Sequence, residues 1–177
     1  MRYKHLSLFA VLLITACLGG VAVAEQVERD MFAAVIVNSA FNCYLDNPSL
    51  NFGYVEAGKP VELNPNAHYN TVKCNSNKGK TWYLKLSIME DIVGTKSTVP
   101  PESVKCRVLK STGSGIPVPA EGWLALSKEP QAVYTSGPSD NTGADVILYM
   151  QYKLELPQGA VSGYYRTKVL YTMTDMQ

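Results

Sequence analysis

Apolar residues recur at every second position of this chain, in short runs cut apart by proline and glycine, and that spacing admits strands and little else. In TWYLKLSIM, Trp82, Leu84, Leu86 and Ile88 fall on one side, with Tyr83, Lys85 and Ser87 on the other. DVILYMQYKLEL sets Val146, Leu148, Met150, Tyr152 and Leu154 against Ile147, Tyr149, Gln151, Lys153 and Glu155. GYYRTKVLYTMTD places Tyr165, Thr167, Val169, Tyr171 and Met173 together. Successive side chains of a strand point to opposite faces, so these runs describe strands with one buried face. No segment sustains the 3.6-residue period of a helix. Weaker runs lie at Leu50–Val55, Pro60–Leu63, His68–Cys74, Val104–Lys110, Trp123–Leu126 and Gln131–Thr135. Between them stand turn-rich pieces such as CNSNKGK, STVPPES and TSGPSDNTGAD, and the longest expected loop runs from Lys110 to Gly122. The expected fold is all-β: an immunoglobulin-like antiparallel β-sandwich, complete or lacking one strand.

The first 24 residues carry the three parts of a secretory signal. Arg2, Lys4 and His5 precede an apolar run from Leu6 to Leu18, and Ala22-Val23-Ala24 ends in the small-residue pattern of a cleavage site. The expected organisation is therefore a signal peptide over 1–24 and a single sandwich domain over 25–177, whose segment 25–42 is a first strand or a donor strand. A competing reading places lipidation at Cys17, because Ile14-Thr15-Ala16-Cys17 resembles the lipobox of bacterial lipoproteins; the apolar residues that follow differ from the polar tether such proteins carry. The apolar run is too short to span a bilayer, which takes about 20 residues. Cleavage would remove Arg2 and Lys4 and no acid, turning a formal charge of +1 into −1. Neither value, nor any basic stripe, points to nucleic acid.

Cys43, Cys74 and Cys106 follow the signal, and in an oxidising compartment two of them are expected to pair. Cys43 and Cys74 each end a strand-like run, so a bridge between them is the preferred pairing. Cys106 shares a face with Val104 and Val108, opposite Lys105 and Arg107, and reads as a buried thiol. Searching for catalysis returns little. His68 is the lone histidine after the signal, too few for a histidine-based zinc or blue-copper site, and no G-x-S-x-G motif supports it as a triad base. Glu90-Asp91 reads as a solvated turn, and SDNTGAD, with Asp140 and Asp145, lacks the spacing of an EF-hand. The expectation is a non-enzymatic protein without catalytic residues, metal or cofactor.

From Cys43 to Leu86 the order is an apolar strand ending in cysteine, LNFG, a second strand ending in TVKC, then WYLKLSI. This resembles the spore coat protein U family and, more loosely, the subunits of chaperone–usher pili; the closing Gly163–Thr172 run is similar to the end of such subunits. The block CRVLKSTGSGIPVPAEGWLALSKEP departs from the family pattern, and Cys106 is extra. The resemblance implies a subunit of a bacterial surface appendage or coat, moving from periplasm to cell surface. It also implies polymerisation by donor-strand exchange, with like subunits, a periplasmic chaperone and an outer-membrane usher as partners. In MFAAVIVNSAFNC, the donor face would be Phe32, Ala34 and Ile36. The same stretch serves equally as an internal first strand. The alternative is a self-complete secreted or lipid-anchored sandwich that binds a protein or glycan through aromatics such as Trp123 or Tyr134.

Overall fold

The computed structural model describes residues 37–63, 70–94 and 96–177. Its strands, in chain order, are β1 (Phe41–Leu45), β2 (Val61–Glu62), β3 (Asn70–Ser76), β4 (Tyr83–Ile88), β5 (Ile92–Gly94), β6 (Thr98–Val99), β7 (Val104–Ser111), β8 (Ile116–Pro117), β9 (Leu124–Ala125), β10 (Gln131–Thr135), β11 (Asp145–Leu154), β12 (Tyr165–Arg166) and β13 (Val169–Thr174). Two short 3₁₀ turns, Pro101–Ser103 and Pro138–Asn141, complete the regular structure. Among the described residues no helix is long and apolar enough to cross a membrane.

One sheet runs β1-β3-β11-β7-β9, with β2 added to the far end of β11; the second runs β13-β4-β10-β8; a small third sheet joins β12, β5 and β6. Every pairing is antiparallel. The alternating residues identified in the sequence are those that fill the core. Trp82, Leu84, Leu86 and Ile88 at β4 are fully buried, and from the first sheet Val72, Cys74, Leu148, Met150 and Tyr152 meet them. Burying such side chains contributes about 1.5–3 kcal/mol each before the entropy of ordering them is set against it. The chain is thus an all-β antiparallel sandwich that does not close into a barrel.

Three expectations need correction. Leu50–Val55 forms no strand: the Asn51 side chain accepts the Gly53 amide at 2.9 Å and Gly53 turns at φ +68°, so Leu50 and Phe52 reach the core from a loop. The closing run is two strands of different sheets, β12 pairing with β5 and β13 with β4, and the Thr167 hydroxyl between them donates to Glu90 O. The expected loop from Lys110 to Gly122 contains the end of β7 and all of β8.

Candidate functional site

Each of the two main sheets ends on a strand that, among the described residues, has a partner on one side only. These are β1, bonded to β3, and β13, bonded to β4. The two edges belong to different sheets and lie in contact along one side of the sandwich. Their inward residues, Phe41 and Cys43 on β1 with Val169, Tyr171 and Met173 on β13, pack against the core yet stay half-buried, whereas most inward residues of β3, β4 and β11 are sealed. A strand edge presents a row of backbone donors and acceptors that another strand can complete.

The floor of this seam is tied across the sheets. Tyr152, fully buried on β11, and Tyr171 on β13 share a short hydroxyl–hydroxyl hydrogen bond. Burial is the main cause pushing both phenols above their ordinary range, so both hydroxyls stay protonated.

The cysteines come together in part. Cys43 lies directly opposite Cys74 in the β1–β3 register, and its sulfur accepts a contact from the Cys74 thiol at 3.9 Å. A disulfide needs about 2.05 Å, so Cys43 and Cys74 stand unbridged here and, with Cys106, are free thiols among the described residues. Nor does Cys43 end the strand; it sits at the middle of β1, which continues to Leu45. The contact lowers the Cys43 pKa and raises that of Cys74, the donor. Cys106 is fully buried as expected, its thiol pushed up to about 12 by burial.

The start of β1 is held by one side chain. The Asn77 amide nitrogen of the main chain donates to Ala40 O at 3.2 Å. Its side-chain oxygen accepts from Ala40 N at 2.7 Å, and its side-chain nitrogen donates to Asn38 O at 2.7 Å. Lys78, next along, places its ammonium 4.1 Å from the centre of the Phe41 ring.

Phe32, Ala34 and Ile36, the proposed signal over 1–24 with Cys17, and His68 lie outside the described residues. The aromatic ligand platform of the alternative reading is corrected in part. Tyr134 is fully buried, because a bulge between Ala132 and Tyr134 turns both Val133 and Tyr134 inward. Trp123 is half-buried and has the Arg107 guanidinium at 4.5 Å and the Lys153 ammonium at 4.8 Å from its ring centre. The two carboxylates of SDNTGAD separate: Asp145 pairs with Lys73 on the surface, while Asp140 turns inward.

Asp140 is the buried polar centre that sequence reasoning missed. Its Oδ1 accepts from the Ser114 amide at 2.7 Å and the Ser114 hydroxyl at 3.1 Å. Its Oδ2 accepts from the Tyr134 hydroxyl and the Gly137 amide, both at 2.8 Å. Burial opposes ionisation, but these bonds outweigh it and hold the carboxyl below its ordinary range. The glycines of STGSG serve this cluster, since a Cβ at Gly113 or Gly115 would strike the Tyr134 hydroxyl.

The arrangement defines an antiparallel β-sandwich with two unpaired edges meeting at one seam among its described residues. Compared with known proteins, the chain matches no family model and no curated protein.

Proposed function

We propose that the chain is a non-enzymatic structural subunit of a bacterial surface appendage or coat, of the kind the spore coat protein U and chaperone–usher resemblance implies. Subunits polymerise when residues near 27–38 of one copy add as a strand to the open edge of β1 or β13 of the next. A periplasmic chaperone and an outer-membrane usher handle the unfilled subunit. The observation that carries this reading is the seam: two edge strands of different sheets in contact, their inward apolar side chains half-covered. An apolar, proline-free strand is the complement such a seam needs. The run Met31–Val37 is separated from β1 by residues 38–40.

The test is a full chain carrying Phe32→Glu and Ile36→Glu. Wild type is expected to form assemblies by light scattering and electron microscopy. The double variant should remain monomeric with an unchanged melting temperature, because its own core never used those residues. Assembly that persists in the variant, or a variant monomer that melts markedly earlier, would make the segment an internal strand and end the donor reading.

Export into an oxidising compartment would also close Cys43 and Cys74 into a bridge that fastens the edge strand β1 to β3, since the two already sit opposite each other. Protein purified from the periplasm, unfolded and alkylated without reductant, is expected to show only Cys106 modified. Three modified cysteines would refute the bridge.

A further inference from the structure

The guanidinium of Arg107 is held firmly by its neighbours and yet keeps most of its donors unused. Val104 and Cys106 point into the core, so Arg107 stands on the outer face of β7. Its Nε donates to Gln151 Oε1 at 2.8 Å. Gln151 is nearly sealed, and its Nε2 donates to Leu63 O at 3.3 Å, which fixes the amide with its oxygen toward Arg107. The Trp123 ring centre lies 4.5 Å from the guanidinium carbon. A fork fixed by a hydrogen bond and a ring contact loses less freedom when it takes a ligand.

Arginine carries five N–H donors, and here only the one on Nε has an acceptor among the described residues. The carboxylate just past β11 is committed elsewhere, since Glu155 takes Lys105 on one oxygen and Lys153 on the other, the latter at 2.8 Å. Arg107 has no ion pair among the described residues. A guanidinium whose two terminal nitrogens are open has the shape that takes a carboxylate through two parallel bonds.

Arg107 lines a groove of about 300 Å³ with Leu109, Pro119, Ala120 and Glu121. That volume is at the bottom of the range for small-molecule sites, so it suits a ligand of few atoms. Glu121 is exposed and, among the described residues, has no ion-pair partner either. One groove therefore carries a cation and an anion that do not neutralise each other. A simple anion would be repelled by Glu121 and a simple cation by Arg107, whereas a molecule bearing both charges is complementary to both. Leu109, Pro119 and Ala120 offer apolar contact to a short side chain.

We propose that this groove binds a small zwitterion, an aliphatic α-amino acid whose carboxylate sits on Arg107 and whose ammonium sits on Glu121. The groove is next to β7 and β9, at the opposite end of the first sheet's strand order from β1, and the proposal stands apart from strand donation.

The test titrates the full-length protein with L-leucine, N-acetyl-L-leucine and L-leucinamide and follows the Trp123 indole and Arg107 Nε–H signals by NMR. Leucine is expected to shift both, with a dissociation constant of about 1 mM or tighter. The two blocked compounds each lack one charge and should bind about tenfold more weakly or worse. Arg107→Lys keeps the charge without the fork and should weaken leucine binding by about tenfold, read at the Trp123 indole. Glu121→Gln should remove the preference for leucine over N-acetyl-leucine; as a change at an exposed position, it carries the test if Arg107→Lys fails to fold. Equal binding of leucine and N-acetyl-leucine to wild type would overturn the zwitterion assignment. No shift at leucine concentrations well above that constant, or shifts that persist equally in both variants, would overturn the site.

Discussion

Replacing Asp140 by alanine is expected to lower folding stability by roughly 4 kcal/mol, read as an earlier denaturant midpoint with an unchanged slope. The carboxylate is 2% exposed and accepts four hydrogen bonds, from Ser114 twice, Tyr134 and Gly137. Bonds to a charged acceptor are worth about 1.5–3 kcal/mol each, and a buried donor left without a partner adds its desolvation cost. The total stays well below four times that figure because the Ser114 and Gly137 amides sit near the surface, where water can replace the carboxylate. The Tyr134 hydroxyl cannot be rescued so easily. Its oxygen would still accept from the Gly115 amide at 2.9 Å, but its proton would be left with only the longer Ser111 contact at 3.3 Å. Asp140→Asn should fall between wild type and alanine, since one amide face can serve Ser114 while the other cannot accept from Gly137.

The same site makes stability depend on acid. The Asp140 pKa is depressed in the folded state below its ordinary 3.8, with burial working against the shift and the Ser114, Gly137 and Tyr134 bonds producing it. The unfolded chain therefore binds the proton first. The contribution is complete above the ordinary aspartate range and disappears as pH falls through the depressed native value. Denaturation between pH 7 and pH 2 should show wild type losing more stability at the acid end than Asp140→Ala does. Equal losses would place the acid sensitivity elsewhere, with the surface carboxylates Asp145 and Glu155 as the other depressed groups among the described residues.

What the period revealed and what it hid can be traced to range. At β4 and β11 six to ten residues repeat one simple alternation, and the faces read from it are the buried faces. β5, β6 and β8 are only two or three residues long, too short to show any period. QAVYT misled because one bulge puts neighbouring residues on the same side, so Tyr134 looked available at the surface when it stands fully buried over Asp140. Gln151 was read as outward and is nearly sealed, held by Arg107 and by the Leu63 carbonyl of the segment ending β2. The seam is the least legible element of all. Phe41, Cys43 and Tyr171 are visible as strand residues, but that β1 and β13 meet, more than 120 positions apart, is a consequence of sheet order that no local pattern contains.

Trp82→Ala is expected to cost about 3–5 kcal/mol, the range for emptying a large aromatic site in a packed core. The indole is fully buried and its ring centre lies 5.5 Å from that of Tyr134 at a 40° tilt. Its Nε1 donates to Asp140 O at 3.3 Å, while its backbone amide donates to the Ser136 hydroxyl at 2.8 Å and its carbonyl accepts from the Ser136 amide at 2.9 Å. Alanine keeps the two backbone bonds, so the loss belongs to the ring and to the indole donor. Trp82→Phe restores most of the volume without the donor and should recover about half of the stability. Because Trp82 and Asp140 brace the same 3₁₀ turn over Pro138–Asn141, their effects should not add. Once either is gone, the turn is already loosened and the second substitution removes less. The double variant Trp82→Ala/Asp140→Ala is expected to fall short of the sum of the two by about 0.5–3 kcal/mol, as contacting residues do. Strict additivity in that cycle would mean that the indole and the carboxylate stabilise separate parts of the sandwich, and that the polar cluster is not the keystone joining β4 to the β10–β11 connection.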